Sequence, residues 1–247
     1  ATVLNGLMLH GGVRVFGGTF FVFSDYLKGA LRLSALQNLP VTYVFTHDSI
    51  AVGEDGPTHE PIEHLASLRT IPNTYVFRPA DATETQAAWY LSQKTNNRPT
   101  SIVLTRQNLP ILENSSFEKV SKGAYVVYET ALDFDTILIA TGSEVALAID
   151  VARELEKDGF KVRVVSMPSV ELFEEQSKEY KEELLPLNIR RRVSLEMGNS
   201  SLWYKYVGLD GLAIGIDKFG ASAPANKVIE EYGFTVEAVV EKIKNEL

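Results

Sequence analysis

Strand-length apolar runs alternate along this chain with segments patterned for helices, and that alternation limits the fold more than any other feature. Residues 41–45 (Val-Thr-Tyr-Val-Phe), 101–105, 136–140, 162–165 and 192–195 are rich in β-branched and aromatic side chains without polar alternation, the pattern of strands buried on both faces. Between them lie helical spacings. Thr19 can cap a helix through Phe20, Phe23, Tyr26, Leu27 and Leu31 that Pro40 ends, and Asp81 with Glu84 forms a capping-box start for a helix over 83–95. Gly142-Ser143 caps a helix over 144–157, a charged stretch from 171 to 185 reads as a solvated helix, and Thr235 caps a closing helix. A short strand at 74–77 and others at 124–128 and 212–216 complete the reading. Strand-helix alternation predicts mostly parallel sheets joined by right-handed crossovers. The expected fold is therefore α/β, as two three-layer α/β/α domains. With 247 residues the chain can hold two such units of roughly 110 to 130 residues. Residues 116–122 lie in a stretch where periodicity lapses, which separates a first domain over 1–115 from a second over 123–247.

One loop carries most of the polar chemistry. His47-Asp48-Ser49-Ile50-Ala51-Val52-Gly53-Glu54-Asp55-Gly56-Pro57-Thr58-His59 holds two of the chain's four histidines, and its glycines and proline forbid a continuous helix or strand. It follows the buried strand at 41–45. In open α/β sheets that is where ligands bind, beyond the carboxyl ends of strands. Arg106 ends a second buried strand, either paired with a carboxylate or placed for an anionic substrate.

Other chemistries fit less well. His47 and His59 stand twelve residues apart, which matches no compact metal-ligand spacing, and the chain has no cysteine to complete a set, so no metal site is expected here. Gly142-Ser143-Glu144 lacks the G-x-S-x-G elbow, and the glycines at 11, 12, 17 and 18 do not form G-x-G-x-x-G after a strand. Phe20, Phe23 and Tyr26 fall within about 120° of one another around a helix, which for an aromatic trio usually means core packing. Trp203-Tyr204-Lys205-Tyr206 reads as core or subunit contact. A net charge of -8 argues against nucleic acid and anionic membrane surfaces as partners, and no apolar run is long enough to span a membrane. Absence of cysteine favours a cytoplasmic location. The first residues start at helical spacing without a cap or an initiator Met, so the chain is expected to be the carboxyl-terminal piece of something longer.

Several motifs, in order, resemble the transketolase family. They are Thr46-His47-Asp48-Ser49, Gly53-Glu54-Asp55-Gly56-Pro57-Thr58-His59, Leu104-Thr105-Arg106-Gln107-Asn108, Ala140-Thr141-Gly142-Ser143-Glu144-Val145 and Trp203-Tyr204-Lys205-Tyr206-Val207-Gly208. Related thiamine-diphosphate enzymes share the Asp-Gly-Pro-Thr-His end, and the leading His-Asp-Ser is the more specific part. The resemblance implies a pyrimidine-binding domain followed by the family's C-terminal domain, whose chemistry it leaves open. It also implies transfer of a two-carbon ketol unit from a ketose phosphate to an aldose phosphate in the pentose phosphate pathway, with thiamine diphosphate as cofactor.

Carried over by position, Phe23 with Phe20 and Tyr26 would form the aromatic pocket for the pyrimidine ring, which reverses their core reading. His47 and Arg106 would hold the substrate phosphate. Asp55 would accept from a sugar hydroxyl, and His59 would contact the donor near its reacting carbons. The glutamate that protonates the pyrimidine in this family precedes the segment matching Ala1, so no catalytic set is complete here. The diphosphate site with its divalent metal, Mg or Ca, belongs to the preceding domain. A homodimer or that missing N-terminal domain is the implied partner, and the polypeptide alone is expected to be inactive. Two alternatives stand beside this reading: the C-terminal subunit of a split enzyme, and a non-catalytic binding or regulatory module that kept the fold.

Overall fold

A computed structural model describes all residues, 1–247. It contains two sheets. The first comprises β1 (Phe16–Phe20), β2 (Thr42–Thr46), β3 (Tyr75–Phe77) and β4 (Thr100–Val103), in the spatial order β1-β2-β4-β3 with every pair parallel. The second holds β5 (Tyr125–Glu129), β6 (Thr136–Ala140), β7 (Val162–Ser166), β8 (Arg191–Leu195) and β9 (Leu212–Ile214), in the order β5-β7-β6-β8-β9. Only β5 runs antiparallel, as an edge strand bulged opposite β7. The helices are α1 (Thr2–His10), α2 (Ser24–Leu36), α3 (His64–Arg69), α4 (Ala82–Lys94), α5 (Glu144–Lys157), α6 (Val170–Glu174), α7 (Lys178–Leu184), α8 (Tyr204–Val207), α9 (Ala225–Glu231) and α10 (Val236–Glu246). None is long and apolar enough to cross a membrane. The arrangement is the expected α/β one with mostly parallel sheets.

Local signals account for most boundaries. Asp81 accepts from Glu84 N at 2.9 Å while the Glu84 carboxylate accepts from Ala80 N at 2.7 Å, a reciprocal cap that fixes the start of α4. Thr235 caps α10 through Ala238 N at 3.2 Å, and Val239, Val240 and Ile243 turn inward. Trp203 and Tyr206 are core, whereas Tyr204 is exposed.

Three expectations fail for physical reasons. The helix expected from Thr19 begins only at Ser24: residues 16–20 pair with β2, and a Cβ at Gly17 would lie 2.8 Å from a methyl of Leu4, so glycine there lets α1 pack on the strand. Phe20 thus ends a strand, Phe23 closes a 3-10 turn over Phe21–Phe23, and Tyr26 opens α2. Ser143 has helical torsions and donates to the Glu144 carboxylate rather than capping α5, because Gly142, at φ 55, already makes the turn. The stretch 171–185 is two helices, α6 and α7, the second capped by Ser177 through Tyr180 N, and Phe173 and Leu184 anchor it to the core.

Each unit has a buried apolar cluster of its own, and a larger third one is shared between them. The shared cluster runs from Ile50, Ile62, Phe77 and Ile102 of the first into Leu138, Leu195 and Ile216 of the second. The connection between them is packed too: Val120 is buried in a 3-10 turn over Lys119–Lys122, and Leu112 N donates to Asp81.

Candidate active site

At the exit of β2 the chain turns sharply: His47 has φ 62, a left-handed conformation uncommon for a residue with a Cβ. Its ring lies on Phe20, the last residue of neighbouring β1, with centroids 3.8 Å apart and planes 24° from parallel. Phe20 stacks in turn on Phe23 at 6.3 Å, and Phe23 meets both Tyr26 at 6.1 Å and, edge to face, His59 at 5.7 Å. Strand, 3-10 turn, helix start and loop therefore build one continuous aromatic wall with an imidazole at each end. It faces solvent. Phe23 is 37% exposed and Tyr26 89% exposed, an unusual state for large apolar rings.

The loop after His47 is shaped by Gly53 and Gly56, both at positive φ, in successive turns that return the backbone from Gly53 O to Gly56 N and from Gly56 O to His59 N, each at 2.9 Å. Side chains at these glycines would press on residues 222–225 of the second unit. Asp55 is exposed at the tip, and Arg106 is exposed just beyond β4, which is adjacent to β2 with Phe45 opposite Val103. Both act on His47. Burial and then the Arg106 cation lower the His47 pKa, while Asp55 and Asp48 pull it the other way. The neutral ring can accept from Thr46 Oγ1 at Nδ1, 3.0 Å away, leaving Nε2–H as a donor. His59 Nδ1 is 2.9 Å from Thr58 Oγ1.

The structure thus gathers Phe20, Phe23, Tyr26, His47, Asp55, His59 and Arg106 at one edge of the first sheet. The result is a wall, not an enclosed pocket; a hollow between residues 110–114 and α5 lies elsewhere. The exposed rings fit a flat heteroaromatic ligand, and the exposed guanidinium fits an anion.

Sequence reasoning overlooked a buried charge network under this wall. Arg78, at the exit of β3, is fully buried, with Nε 2.9 Å and Nη2 2.8 Å from Asp48 Oδ2, and its Nη1 donates to Thr141 O, Thr141 Oγ1 and the Glu144 carboxylate. Thr141 Oγ1 donates to Glu196, which also accepts from Arg69 at 2.8 and 2.9 Å and from Trp203 Nε1 at 3.0 Å. Burial alone would push Glu196 up, but Arg69 and Arg78 hold it down at about 2. Glu84 is also buried, accepting from Tyr125 and Ser166 across the unit boundary, and burial lifts it to about 7. Glu60, facing the backbone N–H groups of Gly53 and Ala221, rises to about 7 for the same reason. A strand-exit arginine was the available signal for Arg78, as it was for Arg106. Asp25, Glu63 and His64 also converge, with ligand atoms within 4.8 Å of one another and His64 Nε2 3.3 Å from Asp25 Oδ2.

Comparison with known proteins identifies the family of both units. Residues 1–111 match the transketolase pyrimidine-binding domain family, and residues 123–235 match the transketolase-like C-terminal domain family. A probable transketolase of Streptococcus pneumoniae is 69% identical over 244 residues, covering 99% of this chain, and the transketolase of Bacillus subtilis is 60% identical over 98% of it. The chain spans 37% of the length of each of these relatives. Among solved structures, a transketolase of Pichia stipitis in complex with sedoheptulose 7-phosphate superposes with a TM-score of 0.94 at 44% identity, over 99% of this chain and 36% of that one. A chain described as a split-gene transketolase, inactive beta4 tetramer, matches at TM-score 0.81 and 26% identity, over 99% of this chain and 80% of that one. With both of its α/β units matched to successive domains of one family, the chain belongs to the transketolases.

Proposed function

We propose that this chain supplies the pyrimidine-binding domain (1–115), a linker (116–122) and the C-terminal domain (123–247) of an enzyme that moves a two-carbon ketol unit from a ketose phosphate to an aldose phosphate. The observation that carries the proposal is the solvent-facing wall of Phe20, Phe23 and Tyr26, ended by His47 and His59 and flanked by an exposed Arg106. Thiamine diphosphate, when bound, supplies the carbanion-stabilising ring chemistry for cleaving and forming the carbon-carbon bond. This chain's residues do the placing. Phe23, with Phe20 and Tyr26 beside it, holds the pyrimidine face by stacking, an interaction worth about 0.5 to 1.5 kcal/mol per aromatic pair beyond burial. His47 and Arg106 hold the substrate phosphate through charged and neutral N–H donors. Asp55 accepts from a sugar hydroxyl and disfavours the wrong epimer by about 1 to 3 kcal/mol, the usual cost of an unpaired polar group. His59, whose ring meets Phe23 edge to face, would contact the donor near its reacting carbons, as the family resemblance implies.

The diphosphate and its Mg or Ca ion would be held by residues outside these 247, in the family's N-terminal domain, whether of a homodimeric full-length enzyme or of a partner polypeptide. Exposed Val3, Leu7 and Leu9 on α1 offer apolar surface for that contact. The likeness to a split-gene chain favours, as a second reading, the same role in a two-subunit enzyme. The cytoplasm is the proposed location. Mixing this polypeptide with thiamine diphosphate, Mg and fructose 6-phosphate is expected to give no turnover until the remaining portion of a transketolase is added. In the reconstituted enzyme, Arg106→Ala should raise KM for phosphorylated donors more than for unphosphorylated ones. Turnover by the polypeptide alone, or equal effects on both donors, would contradict the proposal.

A further inference from the structure

The loop that carries His47 is held by the second unit at two places. Near its tip, Ser222 Oγ donates to Glu54 O at 2.6 Å, and Gly53 lies against the backbone of Ala223 and Ala225. At its root, Asp48 is fixed by Arg78, whose other nitrogen reaches Thr141 and Glu144 beyond β6. Glu144 is itself oriented by Met197 N at 2.7 Å. The bolt has a tailored seat: at Gly142, a Cβ would lie 2.7 Å from Arg78 Cζ, so any side chain there displaces the guanidinium. Directly beside Asp48 stands His47 in its left-handed conformation, which a non-glycine residue keeps only where its surroundings impose it.

We propose that the second unit positions the sugar-phosphate half-site, with Glu144 and Thr141 fixing Arg78, Arg78 fixing Asp48, and Asp48 holding His47 at the angle from which its imidazole meets an anionic sugar. This deepens the reading of His47 as a phosphate ligand and rests on it. Glu144 is fully buried and cannot touch the open wall, so it is a positioning residue. A network that merely glued the units together would let Glu144 change without altering His47.

The test uses the four histidines as probes. In the 13C-histidine-labelled polypeptide, the His47 imidazole signal is assigned by its loss in His47→Gln and followed in Glu144→Gln, Asp48→Asn and the double variant, first free and then during titration with fructose 6-phosphate. Glu144→Gln should shift and broaden the His47 signal, leave that of His10 in place, and weaken binding by about three- to tenfold, the size of a coupled pair. In the Asp48→Asn background the same change should add nothing. An unaltered His47 signal in a folded Glu144→Gln, or additive effects of the two substitutions, overturns the proposal. Should Glu144→Gln fail to fold, as judged by near-ultraviolet dichroism, Thr141→Val removes the neighbouring hydroxyl and is read in the same way. Failure of the unsubstituted chain to bind fructose 6-phosphate would sink the phosphate reading alone, since the free His47 signal still decides the positioning.

Discussion

At the carboxyl ends of its parallel strands the first sheet leaves His47, Asp55, His59 and Arg106 at or near solvent, whereas the same ends of the second sheet are filled by side chains from the first unit. Arg78 enters beyond β6, Arg69 pairs with Glu196 beyond β8, and Glu84 bonds to Ser166 at the end of β7. Strand exits are where open α/β sheets usually bind ligands, because backbone and side-chain polar groups converge there. In the second unit those groups already have partners, whereas in the first Asp48 and Arg78 pair with each other and leave Asp55 and Arg106 exposed. The contrast explains why resemblance alone implies no chemistry for the second unit: its ligand position is occupied from within. What decides between the two fates is the supply of counter-charges. Arg78 and Arg106 both follow buried strands, but Arg78 meets two carboxylates and Arg106 remains exposed.

The largest expected effect separates these two arginines. Arg78→Met leaves Asp48 and Glu144 buried without their cation, a change that costs about 3 to 5 kcal/mol when one member of a buried pair is removed. Arg106→Met removes an exposed side chain and should alter stability by no more than about 0.5 kcal/mol. Urea unfolding of the two variants measures both. Equal losses would break the comparison, since the two strand exits would then be equally structural.

A smaller effect concerns the protons of the filled exits. Glu84 has its pKa raised by burial from 4.5 to about 7, so between those values the folded chain keeps a proton that the unfolded chain has released, and stability falls as pH rises through that window. Glu60 adds to the same decline. Glu196, held at about 2 by Arg69, acts in the opposite sense: its contribution is present above 4.5 and fades as pH drops toward 2. Each group changes stability by at most about 1.4 kcal/mol per pH unit. The urea midpoint should therefore be higher at pH 5 than at pH 8, and Glu84→Gln should shrink that difference. A midpoint that rises from pH 5 to pH 8 would mean that Glu84 folds already ionised.

Much of this arrangement was readable from residue patterns. The parallel sheets follow from apolar runs such as 136–140, and the His47 loop was placed at a strand exit because Gly53, Gly56 and Pro57 break regular structure directly after residues 41–45. β1 is not legible in the sequence because Gly17-Gly18 is a poor strand signal on its own, and only Leu4 of α1 packing on it and β2 pairing with it give the extended form its advantage. Helical spacing alone puts Phe20, Phe23 and Tyr26 on one helix face. They instead lie on three successive elements, which spreads them into a wall long enough to reach both His47 and His59. Arg78, Glu144 and Glu196 were invisible as a set because their meeting depends on how one unit docks on the other, and no local spacing records a contact between positions 66 residues apart.

The smallest prediction sharpens the open side of the comparison. In the free chain Arg106 lowers the His47 pKa and Asp55 raises it, so removing each charge should move the titration in opposite directions. Arg106→Met should raise the His47 pKa and Asp55→Asn should lower it, both modestly, as expected for exposed charges screened by solvent. Bound fructose 6-phosphate adds an anion beside the ring and should raise the pKa beyond either variant, so that binding takes up protons and tightens as pH falls toward the pKa of the free imidazole. Imidazole shifts followed across pH 5 to 8 measure all three. If the two substitutions moved His47 in the same direction, Arg106 and Asp55 would not flank one imidazole, and the open strand exits would lose the convergence that sets them apart from the filled ones.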